Sequence, residues 1–169
     1  GNQFEIILEK TTSASGYLEW SKAVQEEVEM VATALQRPEA RMEGDYRVPF
    51  SVPIANFVAI RSFAQMLGQQ AQCYLLAGKP EEALARVTLM QRIQAMLESA
   101  PAGKSKTLVE AMINVAIKGL YVAVIRDGLR LGVWRDAELA TLGEQLRTVH
   151  LLPSVNEAFN AELVGMTHL

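Results

Sequence analysis

Apolar residues recur at spacings of three and four along most of this chain, and this helical period constrains the fold more than any other feature. The first such stripe consists of Tyr17, Trp20, Val24, Val28, Val31 and Leu35. This spacing is typical of one face of an α-helix. A strand-like run is found only at Phe4–Leu8. The sequence therefore predicts an all-α fold, with a short non-helical N-terminal arm over residues 1–16 and a single helical domain over 17–169.

Prolines and glycines divide this helical pattern into segments. Pro38 ends the first helix, because proline disfavours the α conformation in the residue before it. A second helix is predicted from about Ile54 to Ala77, with Gly78 after its end and Pro80 opening a third helix. Since this turn is so short, the two helices must be antiparallel. We expect five to six helices in antiparallel hairpins, as in a helical bundle.

The later helices have their own start signals. Thr107 to Glu110 reads as a capping box for a long fourth helix, and Asp136 is the predicted N-cap of the fifth. Ser154 to Glu157 is a second capping box, which opens a sixth helix. The segment around Gly132 repeats the pattern around Gly78: a helix end, a glycine and an acidic first turn. Two stacked helical hairpins explain this similarity.

Composition excludes several classes of function. The chain has 16 Lys and Arg against 19 Asp and Glu, so no basic excess is available for nucleic-acid binding. Cys73 is the one cysteine, which excludes an internal disulfide and a cysteine-based zinc site. His150 and His168 have no partner at metal-ligand spacing. We therefore predict no metal, no cofactor and no enzymatic activity; the remaining catalytic alternative would pair an acidic residue with His150.

The fourth helix raises the question of a membrane. Its apolar stretch over residues 108–125 is near the lower length limit for a span. Glu110, Asn114 and Lys118 share one face of it, and charge at the bilayer centre is costly. We expect a buried helix whose polar stripe is solvated or faces a partner. Since the second and fourth helices are apolar over more than one face, a homo-oligomer through such a face is left open.

Two segments are candidate contact surfaces for a protein partner. The first is the polar face of the second helix, which contains Ser62, Gln65, Gln69 and Gln72. The second is the irregular segment over residues 37–53, with Arg41, Tyr46 and Arg47. The alternative is a small apolar or amphipathic ligand held between the second and fourth helices. The residues predicted to line that cavity are Met66, Met96, Met112 and Tyr121.

One stretch resembles a known repeat. The pattern Tyr74-x-x-x-Gly78-x-Pro80-Glu-Glu-Ala83 is similar to the middle of a tetratricopeptide repeat, over about one hairpin. This resemblance implies helical-hairpin packing. Arrays of such hairpins present grooves for peptides or partner helices. The predicted function is therefore a non-enzymatic interaction or scaffolding domain for a protein partner whose identity is unknown.

A second resemblance covers more of the chain. The order of several features resembles that in uncharacterised helical proteins of planctomycete and verrucomicrobial bacteria. These features are, in chain order, Arg37-Pro38-x-x-Arg41, a proline-containing loop, the Gly78 hairpin, an apolar helix and Asp136-x-Glu138-Leu139-x-x-Leu142. Members of that family carry an N-terminal membrane anchor and an all-helical soluble body. The resemblance implies an envelope location on the periplasmic side, with membrane attachment only through a segment absent from this sequence. The alternative prediction is a cytoplasmic location. Gly1, typical of a residue left by tag cleavage, agrees with a removed N-terminal segment.

Overall fold

The computed structural model describes residues 13–37, 55–99 and 108–149, and these ranges are helical apart from short turns and caps. The prediction of an all-α fold is confirmed. The described residues contain no strand.

The first helix begins earlier than predicted and is not continuous. Helix α1 spans Ala14–Ser21, because the Ser13 hydroxyl caps it by accepting a 3.1 Å hydrogen bond from the Gly16 amide. A 3-10 turn at Lys22–Val24 then separates α1 from α2, which spans Gln25–Ala34. The Ser21 hydroxyl donates to the Leu18 carbonyl oxygen at 3.0 Å, a contact that bends helices. The rest of the predicted arm lies outside the described residues.

Helices α3 (Ala55–Leu76) and α4 (Pro80–Glu98) form the first hairpin, with bounds close to those predicted. Gly78 between them has φ +69°, a conformation that glycine adopts without a steric penalty. The Gly78 amide donates to the Leu75 carbonyl oxygen at 3.0 Å, and the Lys79 amide donates to that of Tyr74 at 2.9 Å. These bonds satisfy the last carbonyls of α3 and confirm Gly78 as its terminating residue.

Helices α5 (Leu108–Leu131) and α6 (Asp136–Arg147) form a second hairpin with the same kind of turn. Gly132 has φ +62°, and the Val133 amide donates to the Gly128 carbonyl oxygen at 3.2 Å. The similarity predicted between the two glycine segments is thus present in the backbone.

The predicted N-cap of α6 is wrong by one residue. Arg135 holds the cap position, because its amide donates to the Glu138 carboxylate at 3.0 Å, and Asp136 is the first helical residue. The predicted caps at Thr107 and Ser154, and the sixth predicted helix, lie outside the described residues.

Helix α3 is at the centre of the fold. It packs against α1, α4 and α5, and α4 also contacts α5 and α6. Six apolar residues recur at helical spacing along this helix, and five of them, Phe57, Ala64, Leu67, Ala71 and Leu75, are buried while Ile60 is partly exposed. The largest side chains that the other helices add to this core are Met90, Leu97, Ile117, Tyr121 and Leu142.

The polar stripe of α5 was expected in solvent or at a partner, and that expectation is wrong. Glu110, Asn114 and Lys118 are all buried. Glu98 of α4 contacts two of them, Asn114 and Lys118. Lys118 forms an ion pair with Glu98, and the Asn114 side-chain amide donates to the same carboxylate oxygen at 3.0 Å. Buried charge is tolerated when it is paired in this way.

Among the described residues, α5 is the one helix whose length and composition would suffice to cross a membrane. A core helix of a soluble protein meets the same criterion, and 44% of its apolar window is buried inside this fold. Its buried Lys118 has a protein partner, as described above.

Candidate partner-binding groove

The four polar residues predicted on α3 line one open groove between α1, α3 and α5. The groove encloses about 580 Å³. Its walls and floor are formed by Tyr17, Trp20, Ser62, Gln65, Met66, Gly68, Gln69, Gln72, Leu120, Ala123 and Val124. The helical spacing of Ser62, Gln65, Gln69 and Gln72 places them on one face of α3. We call this feature the α1/α3/α5 groove.

Two of the four polar side chains on the α3 wall of the groove form hydrogen bonds to other helices. Gln69 accepts a 2.8 Å hydrogen bond from the Tyr17 hydroxyl, which joins α3 to α1. Gln72 donates to the Asp127 carboxylate at 2.9 Å, which joins α3 to α5. Ser62 and Gln65 are exposed, and no side-chain hydrogen bond within the described residues involves them. Two polar side chains of the wall therefore retain their hydrogen-bonding capacity.

Two aromatic residues form the rim contributed by α1. The rings of Tyr17 and Trp20 lie 5.5 Å apart between centroids, tilted by 45°. Trp20 was assigned to the apolar stripe of the first helix, yet 47% of its surface is exposed at the groove. Burial, and secondarily the nearby Cys73 thiol, raises the pKa of Tyr17. The phenol therefore stays protonated and keeps donating to Gln69.

The floor of the groove is apolar. It is formed by Met66 and Gly68 of α3 and by Leu120 and Val124 of α5. A Cβ on Gly68 would lie 3.8 Å from the Met90 terminal methyl and 4.0 Å from a Val124 methyl. Both distances are ordinary van der Waals contacts, so a methyl group at this position would fit between its neighbours. The groove combines an apolar floor, a polar wall and an aromatic rim, a combination found in sites that hold organic ligands and peptides.

The other predicted site residues are not gathered here. Arg41, Tyr46 and Arg47 lie outside the described residues. Of the residues predicted to line an apolar cavity, only Met66 reaches the groove. Met112 lies on the outer surface of α5, 63% exposed, and Tyr121 is fully buried with its hydroxyl 3.1 Å from Gln145 Oε1. The prediction that these four residues line one ligand cavity is therefore wrong, because Met112 and Tyr121 occupy different faces of α5.

Sequence reasoning missed the residues that join distant parts of the chain. Asp127 contacts the neighbouring Arg126 at 3.3 Å, and it also accepts a hydrogen bond from Gln72 of α3. Arg86 of α4 donates to Gln70 Oε1 at 2.7 Å and to Gln25 Oε1 at 2.8 Å. Its guanidinium also lies 5.6 Å from the centre of the Tyr74 ring. No local spacing in the sequence signals such partners.

The described residues hold no group of three or more His, Cys, Asp and Glu side chains that could bind a metal ion. Cys73 is partly buried, and burial raises the pKa of its thiol, which disfavours the nucleophilic thiolate. His150 and His168 lie outside the described residues.

The fold and the groove define an all-α protein made of helical hairpins with an open, amide-lined interhelical surface. No protein-family model, no curated protein and no solved structure matches this chain.

Proposed function

We propose that this chain is a non-enzymatic interaction or scaffolding domain that holds a segment of a partner protein in the α1/α3/α5 groove. The observation that carries the proposal is the convergence of Ser62, Gln65, Gln69 and Gln72 on one groove with Tyr17 and Trp20 at its rim. The partner is a peptide or a helix with an apolar side chain that covers the floor.

The chemistry of the wall supports a peptide ligand. A glutamine amide offers both a donor and an acceptor, so Gln65 can pair with the N–H and C=O groups of a peptide backbone. Trp20 offers a large and rigid contact area with a free edge, and tryptophan is over-represented among the residues that dominate binding energy at interfaces. Recognition of a main chain together with one apolar side chain would suit a scaffold that binds a short segment.

The arrangement of hairpins supports a relationship to tetratricopeptide packing. Both hairpins turn on a glycine with positive φ, and the first helix of the first hairpin packs on the first helix of the second. In helical repeats, such packing of successive hairpins forms an extended binding surface. The envelope location implied by the planctomycete and verrucomicrobial resemblance belongs to the same proposal.

Selection from a random peptide library tests the proposal. Peptides displayed on phage are selected against the whole chain, and the affinities of synthetic copies are then measured by fluorescence anisotropy. We expect Gln65→Lys to weaken the selected peptides by roughly tenfold or more, because it replaces an acceptor with a charge at the wall. Trp20→Ala should do the same by removing the rim.

The matched control is Gln36→Lys, which makes the same change on an exposed turn outside the groove. It should leave affinity unchanged, and circular dichroism should report the same helix content for all variants. A selection that yields no peptide, or peptides that bind both groove variants as tightly as the wild type, contradicts the proposal.

The second candidate function is binding of a small amphipathic ligand in the same groove. Its volume of about 580 Å³ and its apolar floor favour this alternative, since ligand sites enclose roughly 300–1,000 Å³. A thermal shift with a panel of fatty acids and detergents discriminates between the two. A stabilisation that Trp20→Ala abolishes supports the ligand, and a flat response across the panel contradicts it.

A further inference from the structure

The described residues that line the α1/α3/α5 groove carry no charge. They are apolar, aromatic, or polar without an ionisable acid or base. Arg61 follows α3 directly before Ser62 and is exposed, but it does not line the groove. Asp127, which contacts the wall through Gln72, is paired with Arg126. A charged partner would lose its water of hydration here without gaining an opposite charge, so the groove favours an uncharged segment.

The hydrogen-bonding groups that remain unused at the rim and wall are weighted towards donors. The Gln69 carbonyl oxygen already accepts from the Tyr17 hydroxyl at 2.8 Å, which leaves its amide N–H groups for a partner. The Trp20 indole N–H can only donate, and it forms no hydrogen bond within the described residues. Gln65 adds a further side-chain amide donor. The groove therefore suits a partner that presents several acceptors.

Gln72 has the opposite balance. Its amide nitrogen donates to the Asp127 carboxylate at 2.9 Å, so its carbonyl oxygen is the group left for a partner. The partner segment thus needs some N–H groups but more carbonyl groups. A proline residue has a backbone carbonyl oxygen and no N–H. A proline-rich segment that also contains other residues meets this requirement.

The aromatic rim fits the same partner. The rings of Tyr17 and Trp20 are tilted by 45° with their centroids 5.5 Å apart, so they do not stack flat on each other. The hydrogen bond to Gln69 fixes the position of the Tyr17 ring, and Trp20 is exposed. Proline-rich segments dock in aromatic-lined grooves, because a chain that is already extended loses little conformational entropy on binding.

We propose that the partner segment held in the α1/α3/α5 groove is an uncharged, proline-rich stretch in the polyproline II conformation. This inference rests on the proposed function and narrows it to one chemical class of partner. Polyproline II has no internal backbone hydrogen bonds, so its carbonyl oxygens are available to the donors of Trp20, Gln65 and Gln69. Most carbonyl oxygens of an α-helical partner are used within that helix. The prolyl rings cover the apolar floor at Met66 and Leu120.

Fluorescence anisotropy with labelled decaproline tests the inference on the whole chain. We expect a dissociation constant on the order of 100 micromolar or lower. A glycine–serine peptide of the same length should bind at least about tenfold more weakly, because it is flexible and has an N–H at every residue. Since the groove is uncharged, the dissociation constant should change by less than about twofold between roughly 0.05 and 0.5 M salt.

Trp20→Phe separates the indole N–H from the aromatic ring. It should weaken decaproline binding by roughly three- to tenfold, because a donor is lost while a ring remains, and Trp20→Ala should weaken it further. The matched control is Met30→Ala, which removes an exposed apolar side chain from α2 outside the groove and should leave the affinity unchanged. Circular dichroism should report the same helix content for all three variants.

Competition with the phage-selected peptides separates this inference from the proposed function. Decaproline should displace the peptides whose binding depends on Gln65. Selected peptides that lack proline and that decaproline does not displace would overturn the inference and leave the proposed function standing. Decaproline that does not bind up to roughly millimolar concentration, or that binds Trp20→Ala as tightly as the wild type, also overturns it. If neither a selected peptide nor decaproline binds, the proposed function fails as well.

Discussion

Trp134 covers Gly128 so closely that a Cβ on the glycine would overlap the indole ring, with Cδ1 2.9 Å from the Cβ position. The indole N–H donates a 3.0 Å hydrogen bond to the Ile125 carbonyl oxygen, and only 7% of the tryptophan surface is exposed. This contact folds the segment after α5 back onto the last turns of that helix. It sets the start of α6 and so the geometry of the second hairpin.

Replacement of Gly128 by alanine should destabilise the protein. The added methyl group meets a packed ring rather than open space, and overpacking of this kind costs typically about 1–3 kcal/mol. The free energy of unfolding from urea denaturation measures the effect. Gly143→Ala is the control; it should be neutral or stabilising by up to about 1 kcal/mol, because its Cβ meets no described atom. Equal effects at the two positions would show that Trp134 does not cover Gly128.

The two hairpin glycines should respond alike to substitution. Gly78 and Gly132 have φ +69° and +62°, where a Cβ costs roughly 1–2 kcal/mol. We therefore expect Gly78→Ala and Gly132→Ala each to lower the free energy of unfolding by about that amount, and the asparagine variants to lower it less, since asparagine tolerates this conformation. Urea denaturation of the four variants checks this, and a neutral alanine variant would contradict the shared turn.

The hairpin turns could be predicted from the sequence because their determinants are local. Gly78 and Pro80 each act on the backbone within a few residues, so reading them does not require knowledge of the fold. The core face of α3 was predictable for a related reason, since this helix is buried along a single stripe. The wall residues of the groove lie on the opposite, polar face of α3. Tyr17 and Trp20 are three residues apart and therefore lie on one face of α1, which allows both to border this wall.

Partners distant in sequence could not be predicted in this way. Glu98 lies on a different helix from Lys118, so nothing local to α5 indicates that its polar stripe is buried. The roles of Arg86 and Trp134 could not be predicted for the same reason. Arg86 donates a hydrogen bond to Gln25, and Trp134 donates one to the end of α5; folding brings both partners close. Periodicity identifies a polar face, but it does not reveal whether that face meets water or a charge of opposite sign.

Loss of the Lys118 ammonium should be costly. Lys118→Met leaves the Glu98 carboxylate without its ion-pair partner in a largely buried setting, and breaking a buried pair costs about 3–5 kcal/mol. We expect the loss of stability to fall at the lower end of this range, because 28% of the Glu98 side chain is exposed to solvent. Thermal and urea denaturation measure it. Arg147→Met is the control, since it breaks an exposed ion pair with Glu144 and should change stability by at most ~1 kcal/mol.

Tyr121 should make stability depend on alkaline pH. Burial raises the pKa of its phenol from 10.0 to about 12. The folded protein therefore retains this proton where the unfolded chain has lost it. The contribution to stability is complete below about pH 10 and is lost as the pH rises through about 12. Urea denaturation at about pH 8 and about pH 11 should show a decrease in the free energy of unfolding.

Tyr121→Phe isolates this effect. The variant keeps the ring but lacks the ionisable hydroxyl and its 3.1 Å hydrogen bond to Gln145, so at neutral pH it should be less stable by about 0.5–1.5 kcal/mol. Its decrease in stability between the two pH values should be smaller than that of the wild type, because the buried group that must ionise on unfolding is gone. An unchanged decrease in Tyr121→Phe would assign the alkaline sensitivity to a different group and would contradict the burial of the Tyr121 hydroxyl between α5 and α6.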